Sequence, residues 1–398
     1  MSMNYPMLKM TNFTTARPTY LGGTEGYEEL AQHQTEELMF SMSPTKMPHK
    51  LLDGFRNHFR DENRLTLDSG GFDLLLDPER ADEFDVDELI DRVNRLGLLE
   101  QDTIMSLDFP VPHGDAIPIT SQEVLRRQKL TTSYYEQMKR KLPIDVHPIV
   151  HGRNYSEMKT HLGQYDLAAN QMVAFGSNLA LLKPRIYQCI GNGKGQTKTK
   201  VPKLKDTWDR IMEGILLLRK NEQNVFALGM GGQRASQVAF LLGAKEVDAT
   251  SWWGYAMTGK MMLHELGKGV HVRDKHQNYT STDVAYIKSL WKDDEYPLSQ
   301  AQTGLDWKTT WKGLRGPNEA RKGGLDGTTM RALHNIWSSD LDAQTCSDFA
   351  GDPDGLAKFL IGRDQMKTTQ FEKRVLLALK HVGSEATVQA KLMNYSKF

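Results

Sequence analysis

Residues 64–72 read RLTLDSGGF, four residues suited to a buried strand that run into Asp68 and then into a Ser-Gly-Gly turn. An apolar run that breaks abruptly on a polar residue and glycines is how a parallel strand ends before its crossover helix. The same grammar recurs downstream. Strand-like runs at 103–107, 147–150, 172–175, 224–228 and 246–247 stop at Asp108, His151, Gly176, Gly229 and Asp248. Between them, 86–98 and 206–218 (DTWDRIMEGILLL) carry apolar residues at helical spacing.

Strands alternating with helices predict an α/β fold, specifically a (β/α)8 TIM barrel. Six strands are read directly; two more are expected near 7–13 and within 115–119. After about residue 290 the pattern changes to Trp, Lys, Gly and Asp-rich sequence (307–327), then to helical stretches at 329–337 and 371–381. The predicted organisation is a catalytic barrel over 1–290 and an appended helical region over 291–398.

The chain has 398 residues with 50 basic and 50 acidic side chains, so no net charge draws it onto nucleic acid or an anionic membrane. Any nucleic-acid site must be a local patch. Two cysteines, Cys189 and Cys346, build neither a disulfide framework nor a cysteine-rich zinc motif. With no apolar run of membrane-spanning length and no signal-like N-terminus, a cytoplasmic protein without a membrane partner is expected.

The polar strand ends carry the chemistry, because barrel enzymes assemble their sites at the carboxyl ends of the strands. In LTLDSGGF, Ser69, Gly70 and Gly71 let a planar ligand approach the backbone, and Phe72 can stack on it. Alone, such a stretch is as readily a helix cap and tight turn. Asp248, in EVDATSWWGYA (246–256), supplies a second carboxylate, and two carboxylates on one rim can divide nucleophile and acid/base roles at an anomeric carbon. Asp108, in MSLDFPVPHGD (105–115), can accept two hydrogen bonds from a purine edge, or simply occupy a surface turn. ALGMGGQRASQ (227–237) lacks the spacing of a dinucleotide or P-loop motif, and GNGKGQTK (191–198) fails the same test.

Taken together, these segments resemble the queuine and archaeosine tRNA-guanine transglycosylases, in chain order, over roughly 60–265. DSGGF (68–72) resembles the family signature, IVHG (149–152) its VQG, AFGS (174–177) its AIGG, ALGMGG its LMGVG, and GAKEVDATSWWGYA (243–256) its nucleophile segment. The resemblance implies that Asp248 is the nucleophile and Asp68 the general acid/base. It implies further that Asp108, His151, Gly176 and Ser177 read the base while Phe72 and Leu228 sandwich it beside Gly229. His151 stands where the family has glutamine, and Asn178 replaces an apolar residue.

The family's C-x-C-x-x-C zinc motif is absent. By position, His271, His276 and His334 with Cys346 or Asp274 either hold a structural zinc or belong to a subdomain that folds without metal. The missing RNA-binding domain resembles phage and bacterial relatives that insert 7-deazaguanines into DNA. The expected reaction is therefore exchange of guanine in DNA for a free 7-deazaguanine such as 7-cyano-7-deazaguanine, with tRNA as the alternative substrate. A phage-encoded enzyme would act in the host cytoplasm, and a homodimer is the assembly expected. No cofactor is required, since one glycosidic bond replaces another. Lys194, Lys198, Lys200, Lys203 and Lys205, with Arg126, Arg127, Lys139, Arg140 and Lys141, are the candidate phosphate grips. A glycosylase that releases free base would use the same aspartates; a non-catalytic subunit would have lost Asp248.

Overall fold

Pro148 divides a short parallel strand in two, and the rest of the sheet is ordered around that break. The computed structural model describes residues 9–14, 37–43, 47–71, 85–111, 119–176, 204–230, 233–249, 251–273, 277–316, 327–349, 351–363 and 369–382. Nine parallel segments form one sheet: β1 (Lys9–Thr14), β2 (Glu37–Ser41), β3 (Arg64–Asp68), β4 (Thr103–Met105), β5 (Asp145–His147), β6 (Ile149–Val150), β7 (Met172–Phe175), β8 (Asn224–Ala227) and β9 (Glu246–Ala249). Their spatial order is β5-β4-β3-β2-β1-β9-β8-β7-β6, so the two outermost segments are the two halves of the Pro148 strand. Proline lacks the N–H a ladder needs, which interrupts the strand there. Its carbonyl still accepts the Ala174 N–H at 2.8 Å, while the His147 carbonyl accepts the Ser106 N–H at 2.9 Å.

Helices follow the strands: α1 (Val86–Asn94) after β3, α2 (Ser121–Lys141) after β4, α3 (Tyr155–Leu162) after β6, α4 (Leu204–Lys220) after β7, α5 (Gln233–Leu241) after β8 and α6 (Ser251–Thr258) after β9. Their starts are set locally. Thr120 caps α2 by accepting the Glu123 N–H at 3.1 Å, and Asn154 caps α3 by accepting the Glu157 N–H at 3.0 Å.

Side chains alternate across the sheet, and the two faces bury different clusters. Leu38, Phe40, Leu65, Leu67, Ile104, Val150, Val173, Phe175, Val225 and Val247 pack with the helices. Met39, Met105, Ile149, Ala174 and Phe226 form a small separate cluster on the opposite face, with Leu228 packed against it. By the same alternation Asp68 and Asp248 belong to that second face.

An antiparallel hairpin, β10 (Lys260–Leu263) and β11 (Lys268–His271), follows α6. Then come α7 (Ser281–Trp291), α8 (Gln300–Thr303), α9 (Trp307–Leu314), α10 (Gly327–Asp348), α11 (Pro353–Arg363) and α12 (Thr369–Val382). Leu333, Ile336, Leu360 and Leu379 from these helices join the same apolar cluster as the strands. Three buried side chains of α10 tie it to the segment after Asp248. Arg331 donates to the Ala256 carbonyl (2.8 Å), Asn335 to the Trp252 (3.0 Å) and Lys260 (3.1 Å) carbonyls while accepting the Met262 N–H (2.8 Å), and His334 bonds the Met262 carbonyl (2.6 Å). No helix among the described residues is long and apolar enough to cross a membrane.

Five of the six strands read directly from sequence fall where expected within a residue or two; the sixth, at 147–150, is the one split by Pro148. The strand expected near 7–13 is β1. The other expected strand, within 115–119, mostly lies outside the described residues, and Ile119 is not in a strand. A strand not anticipated from sequence, ELMFS, forms β2 instead. Asp248 sits inside β9 rather than just beyond it.

Candidate active site at the carboxyl ends of the strands

Asp68 is the last residue of β3, its carbonyl accepting the Met42 N–H at 2.7 Å beyond β2. Ser69 next donates its hydroxyl to the Ser106 carbonyl at 3.0 Å, which pins the Ser-Gly-Gly turn to the end of β4. Gly71 then passes directly over Asp108. A β-carbon there would lie 1.9 Å from Asp108 Oδ1, and one on Gly176 would lie 3.9 Å from Oδ2. The absent side chain at Gly71 is what makes room for the Asp108 carboxylate.

Asp108 is 7% exposed, and burial followed by the negative charge of Asp68 pushes its carboxyl up to about 8. Asp108 therefore holds its proton at neutral pH beside the charge of Asp68.

The loop carrying Asp108 is held by α2. Thr131 Oγ1 accepts the Phe109 N–H at 3.0 Å, Arg127 donates to the Pro110 carbonyl at 2.7 Å, and the Arg127 guanidinium lies 4.4 Å from the Phe109 ring centre. These roles are invisible in sequence, where Arg127, Gln128 and Thr131 are ordinary polar helix residues. Only the helix orientation turns them inward.

His151, expected to read a purine edge, is completely buried. Its Nε2 lies 3.3 Å from Thr131 Oγ1 and its ring 4.7 Å from that of His161. His161 Nδ1 accepts the His151 N–H at 3.2 Å, its Nε2 faces the Tyr165 hydroxyl at 3.1 Å, and that hydroxyl donates to the Ile149 carbonyl at 2.8 Å. One tautomer, protonated on Nε2, satisfies the whole chain, and burial pushes His161 down to about 3, so it stays neutral. Gln128 completes the support by donating to the His151 carbonyl at 2.9 Å. His151 thus contacts Thr131, His161 and Gln128, and these contacts shape the strand end beside Asp108.

Asp248 is 8% exposed and accepts a hydrogen bond from the Gly229 N–H. Gly229 adopts φ 74°, a left-handed conformation that glycine takes without strain, and this turns its N–H toward β9. Asp68, Ser69, Gly70, Gly71, Asp108, His151, Gly176, Leu228, Gly229 and Asp248 all lie at strand ends or just beyond them, as expected. Phe72 and Ser177 lie outside the described residues, as do Lys194, Lys198, Lys200 and Lys203.

One expectation about phosphate contacts is corrected. Arg127 does not grip phosphate: it is 6% exposed and committed to Glu123, Pro110 and Phe109. Arg126 is exposed but paired with both Glu123 oxygens at 2.7 and 2.8 Å. Lys139, Arg140 and Lys141 occupy the last turn of α2, about 12–15 Å along its axis from Thr131 at 1.5 Å per residue.

Among the described residues the expected zinc ligands do not assemble. His334 and Cys346 share α10, twelve residues apart, hence about 18 Å along the axis, whereas donors to one zinc all lie within about 2.3 Å of it. Both ring nitrogens of His334 are engaged, Nδ1 by the Tyr296 hydroxyl at 2.9 Å and Nε2 by the Met262 carbonyl at 2.6 Å. His271 lies at the end of β11, its N–H donating to Asn278 at 2.6 Å; His276 and Asp274 fall outside the described residues. Among the described residues no three His, Cys, Asp or Glu side chains converge as metal ligands. Compared with known proteins, the chain matches no family model and no curated protein.

Proposed function

We propose that the sheet closes into a (β/α)8 barrel and that the protein exchanges guanine in DNA for a 7-deazaguanine through Asp248 and Asp68. Closure is supported by the strand order, which runs in chain sequence and returns to its own start at Pro148. The register supports it too. A row of paired residues extrapolated from Asp248 through Thr11, Glu37, Arg64, Gln101, Pro143, Ala168 and Lys220 returns to the β9 segment at Phe240, eight positions earlier. Eight strands with a shear of eight is the (β/α)8 geometry. In such a barrel each step around the ring climbs about one residue, so the level of Asp248 meets β3 near Leu67. Asp68 and Asp248 then face the barrel mouth at nearly one height.

The observation that carries the functional reading is the aspartate trio itself: Asp68 and Asp248 on one sheet face, and Asp108 against Gly71 with its carboxyl raised by burial and by Asp68. In this reading the target guanine is flipped out of the duplex, at a cost of a few kcal/mol, and sandwiched between Phe72 and Leu228. Asp248, oriented by Gly229 N–H, attacks the anomeric carbon. Asp108 passes its proton to Asp68 as the base binds, and the bond to guanine breaks as Asp68 supplies that proton to the departing base. Asp68 then takes the proton from the incoming 7-deazaguanine, whose nitrogen displaces Asp248 and restores the enzyme. Asp108, ionised once it has given up its proton, accepts from the N–H edge of the base. DNA is favoured over tRNA on the family resemblance.

The test is incubation with guanine-labelled DNA and tRNA plus 7-cyano-7-deazaguanine, following label release and nucleoside mass, with Asp248→Ala and Asp68→Ala. Incorporation into DNA that both variants abolish is the expected result. Incorporation into tRNA alone would reverse the polymer, and release without incorporation would replace exchange by glycosylase action.

A further inference from the structure

Four aromatic rings form a continuous row beyond the hairpin, three on helices and Tyr279 just before α7. Trp307 and Trp311, one turn apart on α9, stack with centroids 5.6 Å apart and planes within 18°. Tyr279 meets Trp311 edge-on at 5.3 Å, and Trp291 at the end of α7 meets Trp307 at 6.2 Å. Each ring is only partly buried. Four exposed lysines accompany them. Lys288 and Lys292 flank Trp291 in the chain, and Lys308 and Lys312 form an i, i+4 stripe beside Trp307 and Trp311.

None of these lysines forms an ion pair with another described residue, whereas two of the nearby carboxylates are already used. Asp283 pairs with Lys268 at 2.7 Å, and Asp306 caps α9 through the Thr309 N–H at 2.7 Å. The acidic turn at Asp293, Asp294 and Glu295 lies just past α7, and Asp293 there accepts the Glu295 N–H at 3.0 Å. The face is anchored to the site side of the molecule through Arg331, which donates to the Leu314 carbonyl at the end of α9 (2.7 Å) and to Ala256 on α6 (2.8 Å), the helix that follows Asp248.

We infer that this aromatic and lysine face binds single-stranded nucleic acid, its rings stacking successive bases while Lys288, Lys292, Lys308 and Lys312 neutralise the phosphates. The chemistry is that of sequence-tolerant strand binding, in which every base offers a π-face and lysines track the backbone. The inference rests on the proposed polymer substrate, since base exchange needs the strand around the flipped nucleotide held open.

The experiment is titration of the full chain with a fluorescein-labelled 20-mer oligothymidylate across a potassium chloride series, with tryptophan quenching as a second readout. Wild type is expected to bind with quenching. Lys308→Gln with Lys312→Gln should weaken binding at least tenfold in low salt and reduce the slope of log K against log salt by about 1.4, two contacts at about 0.7 each. Trp311→Ala should remove part of the quenching, with Trp291 and Trp307 supplying the rest; because it also packs inward, the lysine pair is the decisive variant. Unchanged affinity and slope in that variant would overturn the inference. Oligonucleotide binding without base exchange on any polymer would sink the exchange reading and leave this surface standing. Exchange by a protein whose lysine variant binds like wild type would do the reverse.

Discussion

Gly71 and Asp108 set the tightest constraint in the candidate site. Any side chain at 71 collides with the Asp108 carboxylate, so Gly71→Ala must displace either the turn or the acid. Overpacking of this kind costs about 1–3 kcal/mol. The expected outcome is a urea midpoint lowered accordingly and a loss of base exchange out of proportion to the lost stability. Wild-type exchange in Gly71→Ala would mean that Asp108 does not hold its observed place during the reaction. Asp248 offers a matching test in the opposite direction. Its partner is a backbone N–H, so no substitution of a neighbouring side chain removes the bond, and Asp248→Asn should fold normally while exchange is lost.

At the scale of elements, α2 serves as the clamp on the Asp108 loop. Thr131→Val leaves the buried Phe109 N–H without its acceptor, and Arg127→Met removes the donor to Pro110 and the cation over Phe109. Leaving a buried group unsatisfied costs about 1–3 kcal/mol. Each variant should lower the denaturation midpoint accordingly and, in the proposed exchange reaction, raise KM for the incoming base more than it lowers kcat, because in that reading the loop positions a recognition group. An equal fall in kcat at unchanged KM would count against this role for α2. A second element, α10, ties the hairpin and α6 in place through Arg331, His334 and Asn335. Asn335→Ala strands the Met262 N–H and two carbonyls, and should destabilise by about 2–4 kcal/mol, several unsatisfied groups at once, as read by thermal or urea unfolding.

For the whole molecule, four buried groups predict the shape of the stability profile. His161 is held near 3 and His147 and His334 near 4, each mainly by burial, against an ordinary 6.5. The unfolded chain therefore binds three more protons than the native one between about 4 and 6.5, and stability rises with pH there. Asp108, raised from 3.8 to about 8, works the other way: the native chain keeps its proton, and stability falls as pH rises from about 4 to 8. The histidines outweigh it below 6.5, and it acts alone above. These groups place the maximum near pH 6.5, with a decline above it of at most about 1.4 kcal/mol per pH unit. Urea unfolding across pH 5–8 checks the sign, and Asp108→Asn should flatten the upper limb and steepen the lower one, where the opposing proton of Asp108 is removed.

The same scale separates what the chain's pattern specifies from what packing specifies. Strand ends and their polar residues were legible because a buried parallel strand must be apolar and must stop on residues that tolerate a turn, so RLTLDSGGF announces both its strand and Asp68. ELMFS over Glu37–Ser41 was not legible, since five residues carry no periodicity that tells a strand from a buried helix segment. The assignments of Arg127 to phosphate and His334 to zinc failed for one reason. Residue type states what a side chain can bind, but its direction is set by which face of its helix or strand meets the core. Local sequence thus determined the α/β alternation and the aspartates at the strand ends. Only tertiary structure decided that Asp108 lies under Gly71 beside the charge of Asp68, that α2 holds it there, and that both nitrogens of His334 are spent within the protein, because each depends on contacts between residues far apart in the chain.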